Sequence, residues 1–175
     1  MTIFWDRIIR AAKLDAQLYE EVEADTGAMG QAMGIVVLSS MAAGVGSVGI
    51  GGLGGILVGT IAALIGWYVW AYLTYFIGTK FLPEPQTEAD LGELLRTIGF
   101  SSSPGLIRVF GIIPGLAGPL FLVTSIWMLV AMVIAVRQAL DYESTSRAVG
   151  VCVIGWIVVL ILQVLILVLL MSVLA

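Results

Sequence analysis

The chain has no histidine and a single cysteine, Cys152, and charged side chains make up only 11% of its 175 residues. Without histidine, Ser-His hydrolysis and histidine-ligated metal centres are excluded. One cysteine excludes an intrachain disulfide framework, and its apolar surroundings suit a small packing residue. The long apolar runs contain no Asp or Glu, so an intramembrane aspartyl protease or a carboxylate proton relay would lack its working groups. No Walker sequence offers a cradle for nucleotide phosphates. No catalytic residue, metal ligand or cofactor-binding residue is therefore assigned, no cofactor is implied, and an enzyme is not expected. Twelve acids against eight bases give a net charge of −4. Six of those acids (Asp6, Asp15, Glu20, Glu21, Glu23 and Asp25) precede the first apolar run, so no basic footprint points to nucleic acid.

Hydrocarbon-like sequence is abundant instead. Hydrophobic residues are 60% of the chain and the mean hydropathy is +1.08, against about 45–50% apolar in soluble domains. Apolar runs near the ~20 residues needed to cross a bilayer recur along the chain. The expected fold is all-α: a cytoplasmic amphipathic segment, residues 1–27, followed by one polytopic transmembrane domain, residues 28–175. Asp6, Arg7 and Arg10 interrupt any signal-like apolar core at the start, so the N-terminal segment is expected to be retained.

Residues 3–14 set Phe4, Trp5, Ile8, Ala11 and Ala12 at helical spacing, with Asp6, Arg7, Arg10 and Lys13 turned elsewhere, as in a helix lying in the membrane interface. A second short helix starts at Asp15 as N-cap and carries Leu18 and Val22 on one face. Asp25 or Thr26 can cap a first span over residues 28–48, where Gly30 and Gly34 form a small-xxx-small pair. Residues 44–55, GVGSVGIGGLGG, contain GxGxxG twice. A dinucleotide fingerprint needs a preceding strand and an acid about 20 residues later; here the flanks are spans and the next acid is Glu84, so a turn is expected. The second span, residues 55–77, opens with Gly55 and Gly59 and closes on aromatic side chains. Trp70, Tyr72 and Tyr75 there suit an interfacial belt near Lys80. A polar linker follows to residue 93.

The next stretch carries Arg96, three consecutive serines, Pro104, Arg108 and Pro114. Read as a third span over 94–113, it gives five crossings, with a fourth over 120–140 and an uncharged fifth beginning near Ala148 after a Ser144 cap. Arg137 and Asp141, four residues apart, are expected to pair locally, and Gln163 is the lone mid-span amide, suited to an interhelical hydrogen bond. Five crossings leave Arg7, Arg10, Lys13, Lys80, Arg96, Arg137 and Arg147 in the cytoplasm, Arg108 in the membrane and the C-terminus on the far side, as the positive-inside rule favours. Four crossings, with one kinked helix over 109–136, would strand Arg137 and Arg147 outside. The serines and the Phe100 carbonyl freed by Pro104 offer oxygens that the Arg108 guanidinium could use, or it could snorkel to the outer interface; a lipid-headgroup or substrate role is the alternative to such structural pairing.

The segments FWDRIIRAAKLDAQLYEEVEAD, LLRTIGFSSSPGLIRVFGIIPGL, WMLVAMVIAVRQALDY and TSRAVGVCVIGW together resemble the YIP (Ypt/Rab-interacting protein) family of five-pass membrane proteins, in a compact prokaryotic form. That resemblance implies a cytoplasmic N-terminus, residence in a prokaryotic cytoplasmic membrane, and noncatalytic work through protein and lipid contacts in membrane organisation or trafficking. Arg96, Pro104, Arg108, Arg137, Asp141 and Arg147 are the candidate interaction residues, and Gly30, Gly34, Gly55 and Gly59 the candidate helix-packing positions. The segment ahead of the first span is short and lacks the DLYGP-like motif, so binding of a small GTPase is not carried over. The expected function is a membrane scaffold or accessory subunit contacting lipids, other integral membrane proteins or its own copies. The alternative is a small transporter, channel or lipid-moving protein that uses the broken third segment and Arg108.

Overall fold

The computed structural model describes residues 2–47 and 52–174, and its regular structure is helical throughout. In chain order it forms α1 (Thr2–Ala12), α2 (Ala16–Ala24), a 3-10 turn at Thr26–Ala28, α3 (Met29–Gly46), α4 (Gly52–Lys80), α5 (Leu91–Phe100), a 3-10 segment Ser103–Ile112, α6 (Ala117–Ala139) and α7 (Thr145–Leu174). Four stretches, Thr26–Gly46, Gly52–Lys80, Ala117–Ala139 and Thr145–Leu169, are long and apolar enough to cross a membrane. The chain is an integral membrane protein.

Helix starts follow local chemistry. The Asp15 carboxylate accepts from the Gln17 amide, and Asp25 accepts from the Gly27 amide to open the turn into α3. At α5 the Asp90 carboxylate accepts from the Glu93 amide at 2.8 Å while Glu93 accepts from the Asp90 amide at 2.7 Å. This reciprocal capping box satisfies two amide donors that an open helix end would leave bare. The helix therefore starts at Leu91, three residues before the expected position.

The segment expected as one helix over 94–113 is in two pieces. α5 stops at Phe100, Ser101 and Ser102 turn, and the tighter 3-10 segment continues. Pro104 has no N–H to give the Phe100 carbonyl. The Ser103 hydroxyl donates to that carbonyl at 2.7 Å, and Ser101 donates to Ile98 at the same distance. The break thus supplies its own partners, which hydrocarbon would not. Ten residues of each helix type reach about 35 Å if collinear.

Both pieces run beside α3 in the same direction: Gly99 meets Ala32, Gly105 meets Ser39, and Gly111 meets Gly46. A Cβ at Gly99 would stand 2.7 Å from the Ala32 Cβ, and one at Gly111 would stand 2.8 Å from the Gly46 carbonyl oxygen. At Gly46 it would strike the Arg108 carbonyl, and at Gly105 the Ser39 hydroxyl. α6 flanks the 3-10 segment on another side. α4 returns antiparallel to α3, with Ile56 against Gly44 and the Ser40 hydroxyl 3.1 Å from that of Thr60. The glycine-dense run expected as a turn over 44–55 is helical to Gly46 and again from Gly52. Its remaining centre, residues 48–51, and the end of the first span at Val48 lie outside the described residues, as does Ala175.

Two apolar clusters make the core. One joins α4, α5, α6 and α7 around Leu94, Ile98, Val136, Leu140 and Val151. The other brings Ile8 of α1 and Leu18, Tyr19 and Val22 of α2 against Ile35, Phe100 and Ala135. The inner face of α2 is therefore covered by its own chain. α1 is also docked: the Trp127 indole donates to the Ala12 carbonyl at 2.8 Å, while Ile3, Trp5 and Ile9 remain exposed.

Gly46→Ala is expected to lower stability by about 2 kcal/mol, the usual cost of overpacking. Gly30→Ala, where a Cβ meets open space, is expected to be neutral or stabilising by up to about 1 kcal/mol through helix propensity. Thermal unfolding of the two variants in detergent checks this; equal melting temperatures would remove any role for the close approach.

Candidate functional site

The acidic side chains fall in separate sequence stretches that the fold brings together. All twelve acids lie within residues 6–25, 84–93 and 141–143. These stretches are joined by Gln138 donating to Glu20 at 2.7 Å, Gln86 donating to the Asp141 carbonyl, and the Glu143 amide donating to Glu84 at 2.9 Å. Between them lies a crevice of about 800 Å³ lined by Glu20, Glu23, Glu93, Asp141 and Glu143, with Arg137 on its wall.

Arg96 is buried beside these stretches. Its guanidinium donates to the Val22 carbonyl at 2.9 Å and to the Glu23 carbonyl, so the last turn of α2 is capped by a cation from α5. A cation there also suits the negative end of the helix dipole. The expected pairing of Arg137 with Asp141 is not made. Asp141 adopts a φ of 52° and turns the chain, so that Arg137 donates instead to the carbonyls of Tyr142 and Glu143. Arg147 pairs with Glu84 at 3.1 Å and donates to the Pro83 carbonyl. The Tyr142 hydroxyl reaches the Leu82 carbonyl at 2.8 Å, and burial pushes its pKa up to about 12. These residues tie the loop between α6 and α7 to the linker after α4.

Glu23 sits half-buried among Asp141, Glu93 and Glu20. Burial first, then those carboxylates, pushes its pKa from 4.5 up to about 8, against the opposing pull of Arg96.

The second feature is a groove of about 550 Å³ between α4 and α6, floored by α3 and the third segment. On α4 its wall is made by Ile56, Ala63, Trp67 and Trp70 with three glycines between them, Gly55, Gly59 and Gly66, each of which leaves open space where a Cβ would stand. Ser40, Ser47, Ser101 and Ser102 put hydroxyls around it. Trp67 and Trp70 close the end nearer the charged crevice, and Arg108 stands at the other. Trp67 donates to the Leu95 carbonyl at 3.0 Å, whereas the buried Trp70 indole N–H meets no acceptor among the described residues. Trp70 is turned inward against Gly155 and Trp156 of α7 rather than out toward an interfacial belt.

The Arg108 guanidinium does not use the oxygens freed by the serine-proline break, because the serines themselves occupy them. Its Nε donates to Thr124 at 2.8 Å and its Nη2 to Ser125 at 2.9 Å, with the Phe121 ring 4.9 Å away. Pro104 is buried and acts by ending α5. Gly55 and Gly59 line the groove, whereas Gly30 and Gly34 sit on α3 with nothing of the chain within 4 Å of a Cβ. The close helix contacts are made by other glycines.

A family model described as the Yip1 domain matches residues 20–167. The chain belongs to the Yip1 domain family. No match was found among curated proteins or among solved structures. The Yip1 match begins inside α2 and ends within α7, so it takes in the crevice, the broken third segment, the groove and every candidate interaction residue, while α1 precedes it. The capping role of Arg96 and the groove itself were not read from the sequence. The Asp90-x-x-Glu93 spacing was the available signal for where α5 starts; nothing in the local pattern signals that α2 lies against Arg96.

Arg96→Ala removes charged donors from the α2 terminus, at a cost of about 1.5–3 kcal/mol, and is expected to speed amide exchange in α2 far more than in α6. Equal acceleration in both helices would refute the capping role. The raised Glu23 pKa means that the folded state holds its proton more tightly than the unfolded state does. Its stabilising contribution is complete below about pH 4.5 and is lost as pH rises to about 8. Melting temperature should fall across that window in the parent chain and fall less in Glu23→Gln; identical pH profiles would exclude it.

Proposed function

We propose that this Yip1 domain is a noncatalytic membrane scaffold or accessory subunit that binds other membrane proteins through the open face of α3 and the far half of α7, and binds lipid along its groove. One observation carries the reading: on α3, Gly30 and Gly34 leave unfilled space, flanked by the exposed Met33, Leu38 and Met41. In lipid there is no hydrophobic drive between helices, so small residues that let backbones approach closely are what an association surface offers. α7 adds an exposed Gln163 amide among exposed leucines and valines.

The same proposal has the chain cross five times, with a cytoplasmic N-terminus in a prokaryotic membrane. The parallel run of α5 and the 3-10 segment beside α3 supports a composite third crossing, and the gathering of the charged stretches supports the orientation. The groove and the broken segment favour a second reading, a small transporter, channel or lipid-moving protein. Reconstituted flux or lipid scrambling that requires Arg108 would favour it over the scaffold.

A photo-crosslinker placed at Met33 in native membranes is expected to yield discrete adducts with another membrane protein, lost in a Gly30→Leu, Gly34→Leu double variant. A tag after Ala175 is expected on the side opposite Met1. A monodisperse, adduct-free monomer would overturn the scaffold, and tags on one side would overturn the five crossings.

A further inference from the structure

The charge on Arg108 is not balanced by the chain. No acid occurs between Asp25 and Glu84 or between Glu93 and Asp141, and among the described residues no carboxylate reaches the guanidinium. Its partners are two hydroxyls and an aromatic face, and its Nη1 has no acceptor among the described residues. A cation in an apolar setting is costly unless a counter-charge or water meets it. Arg108 is half-buried, with its backbone against Gly46 at the end of α3 and its guanidinium held by Thr124 and Ser125, about two turns into α6, where it lines the groove.

The groove that starts at this guanidinium is mostly apolar, and along α4 its wall alternates Gly55, Gly59 and Gly66 with Ile56, Ala63 and the two tryptophans. About 550 Å³ lies in the range of small-ligand sites, about 300–1,000 Å³. The Thr124 and Ser125 hydroxyls hold the cation, Ser47 lines the same groove, and the slot passes Gly55 and Gly59 toward Trp67 and Trp70. One end therefore suits an anionic phosphodiester with polar groups just below it, and the rest suits a hydrocarbon chain.

We infer that Arg108 and the glycine-walled groove bind one anionic phospholipid, with its phosphate on the guanidinium and one acyl chain laid along α4 toward Trp67 and Trp70. The inference deepens the lipid-binding part of the proposed function and rests on the five-crossing arrangement that puts Arg108 near the far surface. Phosphate meets Arg well because its oxygens accept parallel N–H donors. The open space over Gly55, Gly59 and Gly66 leaves room for a chain between the side chains that share the wall.

The full chain in nanodiscs of phosphatidylcholine doped with phosphatidylglycerol tests this, with bromine on the acyl chains of either lipid as a quencher of tryptophan fluorescence. Brominated phosphatidylglycerol is expected to quench more than the same mole fraction of brominated phosphatidylcholine. Arg108→Gln should weaken that preference about tenfold, equivalent to about 1.4 kcal/mol, and Arg108→Lys should retain part of it. Gly59→Leu, which blocks the slot and leaves the cation in place, should reduce quenching by both lipids. Inorganic phosphate at millimolar concentration should not displace the lipid. Equal quenching by the two lipids in the parent chain, an unchanged preference in an Arg108→Gln protein of parental melting temperature, or displacement by phosphate alone would each overturn the site. Labelling of Arg108→Cys by a membrane-impermeant reagent separates the two claims. Reaction from the Met1 side would overturn the crossing arrangement and the site with it, whereas reaction from the opposite side with no lipid preference would overturn the site alone.

Discussion

The structure depends on close backbone contact between α3 and the broken third segment. That segment could not stand in lipid by itself, because a proline removes one helical hydrogen bond and a 3-10 helix holds its remaining bonds less well. Serine hydroxyls satisfy the Ile98 and Phe100 carbonyls, and glycines on both sides let the two backbones meet at Gly46, Gly99 and Gly111. Irregular backbone is tolerated in an apolar setting where protein covers it, and here the cover is α3 on one side and α6 on another.

A division of labour along the bundle follows. Toward the charged end, α1 and α2 fold back and complete a packed core, with Arg96 tying the α2 terminus to α5 and Glu84 joining the linker to the loop before α7. Toward the far end α3 stays closely packed on the third segment, while a groove opens between α4 and α6 beside a cation with no carboxylate. The membership in the Yip1 domain family covers both ends, so the tightly packed region and the open one belong to one unit.

Long apolar runs, the lack of acids within them, and the amphipathic start with its Asp15 cap were legible in the sequence, because each is a property of a short window of residues. So was the family, from the segment before the first span together with the third apolar segment and the stretch across the last loop. The helix boundary at Leu91 was also written locally, in the Asp90 and Glu93 pair. The expected Arg137–Asp141 pair failed for a local reason of another kind: helical spacing assumes that the helix continues, and the turn at Asp141 ends it.

What the sequence by itself determined is the solvent this chain folds in, the places where helices can run, and the place where one must break, since hydropathy, capping and proline act through near neighbours. Which glycines become contacts was decided only by the tertiary structure. Nothing local distinguishes Gly30 and Gly34 from Gly46 and Gly111, but only the latter two face another backbone. The burial of Arg96 under α2 and the isolation of Arg108 from every acid were decided in the same way, because a side chain's partner is set by which distant segment the fold brings beside it.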